Sequence, residues 1–173
     1  MILASLIDAV LGWLKWPVAI VAAVILPSCV ITTWGVIANI IERPGAVTYF
    51  LVGGGGYVIV WLLVFRNASW GTWFSTLEHE LTHVLFALLT LHRVTGLNAT
   101  FNQGGAMSYA GGKGNWLITI SPYFFPTFSV LLAVLLGLID PGNVKLANGL
   151  LGVTLAYHAI SSLGDFHREQ TDL

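Results

Sequence analysis

The chain has 173 residues, of which 9% are charged and 56% hydrophobic, and its formal net charge is -1. A soluble domain carries about 25% charged residues, so this composition and a mean hydropathy of +0.82 argue against one. No basic stripe points to nucleic acid, and a single cysteine, Cys29, rules out a disulfide framework or a cysteine-type zinc site.

The charges leave long gaps. None falls between Lys15 and Glu42, Arg43 and Arg66, Lys113 and Asp140, or Lys145 and Asp165. Each gap holds the roughly 20 apolar residues that a helix needs to cross a bilayer. A fifth stretch, Ala68 to Leu91, has the same length and carries the densest ionisable cluster in the chain. The expected fold is an all-α polytopic membrane protein of about five transmembrane helices plus a short membrane-associated β-hairpin. It forms a single integral membrane domain over 1–173.

In chain order, residues 2–14 put Leu3, Leu6, Ile7, Val10, Leu11 and Leu14 on one helical face, with Ser5, Asp8, Gly12 and Lys15 on the other. Two readings of 1–15 stand equally: a helix lying in the membrane interface, or a helix packed on the rest of the protein. The start lacks the basic region of a signal peptide. Two accessory spans fill 16–65. The first, Trp16 to Ile41, has a kink expected at Pro27; Glu42-Arg43-Pro44-Gly45 makes a tight connection. The second, Ala46 to Phe65, contains Gly53 to Gly56, which suits close helix packing, or else a broken helix.

The remaining core, 68–173, changes character after Leu91. Arg93 to Gly114 is rich in Gly, Asn, Thr and Ser, and its imperfect alternation around Gly104-Gly105 predicts a β-hairpin over about 94–110. Span 4, Asn115 to Ile139, carries Ser121-Pro122 and Pro126, so its first half is expected to bend or unwind. Span 5 runs from Val144 to Gly164, followed by a polar tail.

The cluster in the third span reads His79-Glu80-Leu81-Thr82-His83, H-E-x-x-H. On a helix, histidines at i and i+4 project from one face, one turn apart. That spacing lets both bind one Zn²⁺, while Glu80 reaches a metal-activated water without ligating the metal. The metal lowers the water's pKa and polarises the scissile carbonyl; Glu80 moves the proton from water to the leaving amine. The alternative, a chance match or a polar packing network, is disfavoured because ionisable groups within a span are costly and mark function.

Other ionisable residues receive plainer readings. Glu78 with Ser75 fits a capping box. His92 belongs at the interface beside Arg93, at a helix C-terminus. His167 is a solvated tail residue. His158, inside the fifth span, is a helix–helix hydrogen-bond partner by preference, or else a metal ligand or a support for one.

These features resemble the site-2 protease family of intramembrane zinc metalloproteases. The match is H-E-x-x-H on a span, a Gly-rich β-like segment starting "RVTGLNATF", a span with early prolines, and a further span leading to an aspartate. It covers about Ala68 to Leu173. The resemblance implies peptide-bond hydrolysis in the bilayer with two His and one Asp on zinc, and a hairpin that pairs with an extended substrate segment. It departs at Thr82, where the family commonly has Gly, and in lacking a Leu-Asp-Gly motif. Asp165 and Asp172 are the available third ligands. Asp172 is favoured because it follows the polar turn, where apolar residues resume, and because the family's aspartate opens a helix. A following helix beyond Leu173 is the other way to complete the pattern.

Three functions compete. A zinc metalloprotease acting on transmembrane protein or peptide substrates is favoured, because a pseudoprotease that only binds transmembrane segments has no need of Glu80. A metal transporter would place acidic or His residues on several spans, and spans 1, 2 and 4 have none. Five crossings put Arg43, Arg93, Lys113 and Arg168 on one side, against Lys15, Arg66 and Lys145. Four against three puts the hairpin and C-terminus in the cytoplasm.

Overall fold

The computed structural model describes residues 2–67, 69–100, 104–139 and 142–165. Helices α1 (Ile2–Glu42), α2 (Thr48–Leu63) and α3 (Ser69–Leu89) precede strands β1 (Arg93–Ala99) and β2 (Gly105–Ala110). Helices α4 (Trp116–Phe124), α5 (Thr127–Ile139) and α6 (Val144–Asp165) follow.

The strands pair antiparallel, from Arg93 opposite Ala110 to Ala99 opposite Gly105, with an irregularity between Val94 and Gly96. The predicted hairpin is therefore present. Thr100 closes its turn through backbone N–H and hydroxyl bonds to the Gly104 carbonyl, at 3.0 and 2.7 Å. Gly104 has φ +78°, which glycine adopts at no steric cost.

Fewer helices than five qualify as spans. Among the described residues, α1 and α6 are long and apolar enough to cross a membrane alone. A third crossing arises if α4 and α5, bent by 73° at their break, count as one. The break falls between Phe124 and Thr127, where Pro126 has no N–H to continue the ladder, as the sequence predicts for this region. Helix α2 is apolar but has 16 residues, and α3 carries the ionisable cluster that lowers its hydropathy.

At the N-terminus the expected boundary disappears, because residues 2–42 form one continuous helix through Pro17 and Pro27. Its first turns pack on the core: Ala4 is buried, and the Leu11 carbonyl accepts from the Trp116 indole N–H at 2.8 Å. Leu3, Leu6, Val10 and Leu14 nonetheless stay exposed.

Glycine decides how α2 and α6 meet. Helix α2 continues unbroken through Gly53 to Gly56, and a β-carbon at Gly53 would collide with the backbone of Gly149. One at Gly152 would collide with the Phe50 carbonyl. The tetraglycine thus serves close packing. Tyr57 meets Tyr157 edge-on, with centroids 5.8 Å apart, so the two helices run parallel.

The buried apolar cluster sits elsewhere, where α3, the hairpin and α4 join. Phe86, Ala87 and Ile118 form it, with Val94, Met107, Tyr109 and Phe125 packed around them. That cluster holds the chemistry-bearing face of α3 against β2 and α4.

Candidate active site

His79, Glu80 and His83 lie on α3 with the one-turn spacing that the motif predicts; the imidazole centroids of His79 and His83 are 4.9 Å apart. Tyr123 of α4 meets the His79 ring edge-on at 5.5 Å. Glu80 and His83 are buried. Both line a cavity of about 360 Å³, closed by β2 on one side and by Ile118 and Thr119 of α4 on another.

Helix α4 orients His83. The imidazole Nδ1 lies 2.8 Å from the Ile118 carbonyl oxygen. A carbonyl only accepts, so Nδ1 carries the proton and the lone pair sits on Nε2. In a regular helix that carbonyl would receive the N–H of residue 122, but residue 122 is proline. Pro122 releases the Ile118 carbonyl, which accepts from His83 and from the Ser121 hydroxyl at 2.9 Å. Asn115 starts α4 by accepting from the Ile118 N–H at 3.2 Å. A proline four residues after an in-helix carbonyl was the sequence signal for this partner.

Strand β2 passes directly over Glu80. A β-carbon at Gly105 would stand 2.5 Å from Glu80 Cγ and 2.8 Å from its Oε1, so only glycine leaves the carboxylate its place. The Trp73 indole donates to the Ala99 carbonyl at 3.2 Å, tying the far end of β1 to α3 as well.

Two imidazoles, one with its tautomer set by a backbone carbonyl, match the nitrogen donors that zinc takes. Among the described residues, no group of three or more His, Cys, Asp or Glu side chains able to hold a metal is present. Asp172 lies outside the described residues, as does His167. Asp165 is the last residue of α6, with its side chain likewise outside.

One plainer reading is overturned. Glu78 does not cap a helix, since α3 begins at Ser69 and Ser75 lies within it, sharing a hydrogen bond with Ser161 of α6 at 2.6 Å. Glu78 is 4% exposed, accepts from the Phe128 N–H at 3.4 Å and stands 4.0 Å from His158 Nδ1. His158 thus makes a contact between α6 and α3, as a helix–helix polar partner does. His92 follows the C-terminus of α3, as expected, its N–H donating to the Ala87 carbonyl; its side chain is buried, 2% exposed, with Nε2 3.2 Å from Asp8. Asp8 also accepts from the Gly114 N–H at 3.1 Å and from the Asn115 amide at 2.8 Å. Periodicity carried no sign of that link across the chain.

Apolar helices long enough to cross a membrane thus accompany a cavity lined by the H-E-x-x-H face of α3 and by the hairpin. A family model described as peptidase M50B-like matches residues 54–162. That is more than half of the chain, and the chain belongs to this family, a site-2 protease family domain. The match takes in the second half of α2, which the sequence reading left outside the family core, together with α3, the hairpin, α4, α5 and most of α6. Comparison with curated proteins and with solved structures gave no match.

Proposed function

We propose that the protein is an intramembrane zinc metalloprotease that hydrolyses peptide bonds of membrane-protein substrates. The observation that carries this reading is the gathering of Glu80 and His83 with β2 around one cavity, beside His79, in a chain of a peptidase family. His79 and His83 would hold the metal, with Asp172 favoured over Asp165 as third ligand. When bound, zinc supplies Lewis-acid polarisation of the scissile carbonyl and lowers the pKa of water toward about 7.

Glu80 performs the proton transfers, taking a proton from water and giving it to the leaving amine. Its burial beneath Gly105 holds the carboxylate in one position and limits bulk water. Strand β2 lies along the cavity and offers a pairing edge. A transmembrane substrate must unwind before its amide is reachable, and strand pairing would replace its lost hydrogen bonds.

The fold supports a revised membrane placement. Asp8 touches His92, so an even number of crossings separates them. Helix α1 is the long apolar one, so either α2, at 16 residues, or α3 makes the return crossing; we assign it to α2, the more apolar of the two, which runs parallel to α6. Ser75 near the start of α3 meets Ser161 near the end of α6, as this placement requires. Lys145 stacks on Tyr49, so the starts of α2 and α6 share the opposite side. Lys15, Arg66, Arg93 and Lys113 then lie on the hairpin side, four of the six basic residues among the described ones. This bias favours a cytoplasmic hairpin and C-terminus. It also corrects the five-span count, which separated Lys15 from Lys113, whereas both line one groove.

The test is cleavage of a single-pass substrate by the full chain in liposomes. Glu80→Gln is expected to lower the rate by about 10²–10⁴-fold with zinc content and helicity retained. Full activity in that variant would sink the mechanism; an inactive wild type with normal zinc would favour a pseudoprotease.

A further inference from the structure

Beyond the catalytic cavity, a groove of about 740 Å³ separates α1 from α4. Val18, Ala19 and Ala22 line it from α1, and Ile120 from α4. Lys15 lines it from α1 and Lys113 from the loop after β2. The contacts that dock α1, through Asp8 and Leu11, lie above this level. Beyond them the helices stand apart, with Ala19 and Ala22 facing the gap.

We propose that this groove binds one anionic phospholipid, with its phosphate between Lys15 and Lys113 and an acyl chain against Val18, Ala19, Ala22 and Ile120. The inference rests on the membrane placement and not on the protease reading. Two observations carry it. Neither lysine has a carboxylate partner among the described residues, so two like charges share one groove without a counterion. Such basic pockets between membrane helices suit anionic headgroups. Exposed Trp13 and Trp16 flank Lys15, and tryptophan gathers at headgroup depth.

The pair of lysines at one end selects an anionic lipid over an apolar substrate or partner helix, which carries no charge to meet them. An acyl chain with its headgroup needs no internal hydrogen bonds and fills such a gap without leaving backbone groups unsatisfied.

The experiment is native mass spectrometry of the full chain, purified with equimolar dioleoylphosphatidylglycerol and dioleoylphosphatidylcholine. The wild type is expected to retain one phosphatidylglycerol. Lys15→Gln and Lys113→Gln should each weaken that preference about fivefold, and together about 30-fold. Ala22→Trp, which fills the groove and leaves both lysines, should release the lipid. Equal retention of both lipids, undiminished phosphatidylglycerol in the double variant, or its one-for-one displacement by an acidic transmembrane peptide overturns the inference. Release of the chain from membranes by alkaline carbonate overturns the membrane placement along with it. Loss of lipid preference in a carbonate-resistant chain overturns the lipid site alone.

Discussion

His83 bonds the carbonyl of Ile118 at 2.8 Å because Pro122 has no N–H to offer that carbonyl. A helix defect on α4 thus becomes the support of an imidazole on α3. The oxygen's two lone pairs already serve His83 and Ser121, so any third donor competes directly with the histidine.

Restoring that third donor is the sharpest test of the arrangement. Pro122→Ala adds the N–H of residue 122 and should lower zinc affinity by about 10–100-fold, the usual effect of losing a ligand's supporting bond. Competition with a zinc chelator reads the affinity, and circular dichroism should show helicity equal to or above wild type. Unchanged affinity would mean that the Ile118 carbonyl does not hold His83.

Gly105 has no room for a side chain over Glu80. Gly105→Val should shift the carboxylate or lift β2, and a displacement near 1 Å costs about 10²-fold in rate. Zinc content should stay close to wild type, because His79 and His83 are not the groups displaced. Rate and metal measured on one preparation separate these effects; normal cleavage would show that β2 does not confine Glu80.

Within the tetraglycine, neighbouring positions should respond in opposite directions. Gly53→Ala drives a β-carbon into the Gly149 backbone and should destabilise the α2–α6 pair by about 1–3 kcal/mol. Gly55 has nothing within 4 Å, so Gly55→Ala should be neutral or stabilising by up to about 1 kcal/mol from helix propensity. Thermal melting in detergent compares the two, and equal melting points would contradict the packing described.

For the third ligand, Asp172→Ala should empty the zinc site and abolish cleavage, while Asp165→Ala should do less. Two histidines fall short of the three protein ligands that a catalytic zinc normally has. Metal content of the two purified variants decides, and the reverse order would make Asp165 the ligand.

Local chemistry left its features legible in the sequence. The one-turn spacing of His79 and His83, the hairpin around Gly104, and the break near Pro126 each follow from a few adjacent residues. Hydropathy showed an apolar, helical chain, yet counted more spans than there are helices long and apolar enough among the described residues, because α2 stops at 16 residues and α4 and α5 bend by 73° at their break. The contact of Asp8 with His92, 84 residues away, lay equally beyond it. Long-range pairing likewise turned Glu78 from a cap into a buried partner of α5 and α6, and matched Gly53 with Gly149. The sequence by itself determined the one-turn spacing of His79 and His83 and most of the segments that form helix or strand, since backbone sterics and side-chain spacing act over one or two turns. Only the tertiary structure decided what orients His83, what roofs Glu80 and where α1 docks, because those contacts exist only once distant segments are packed together.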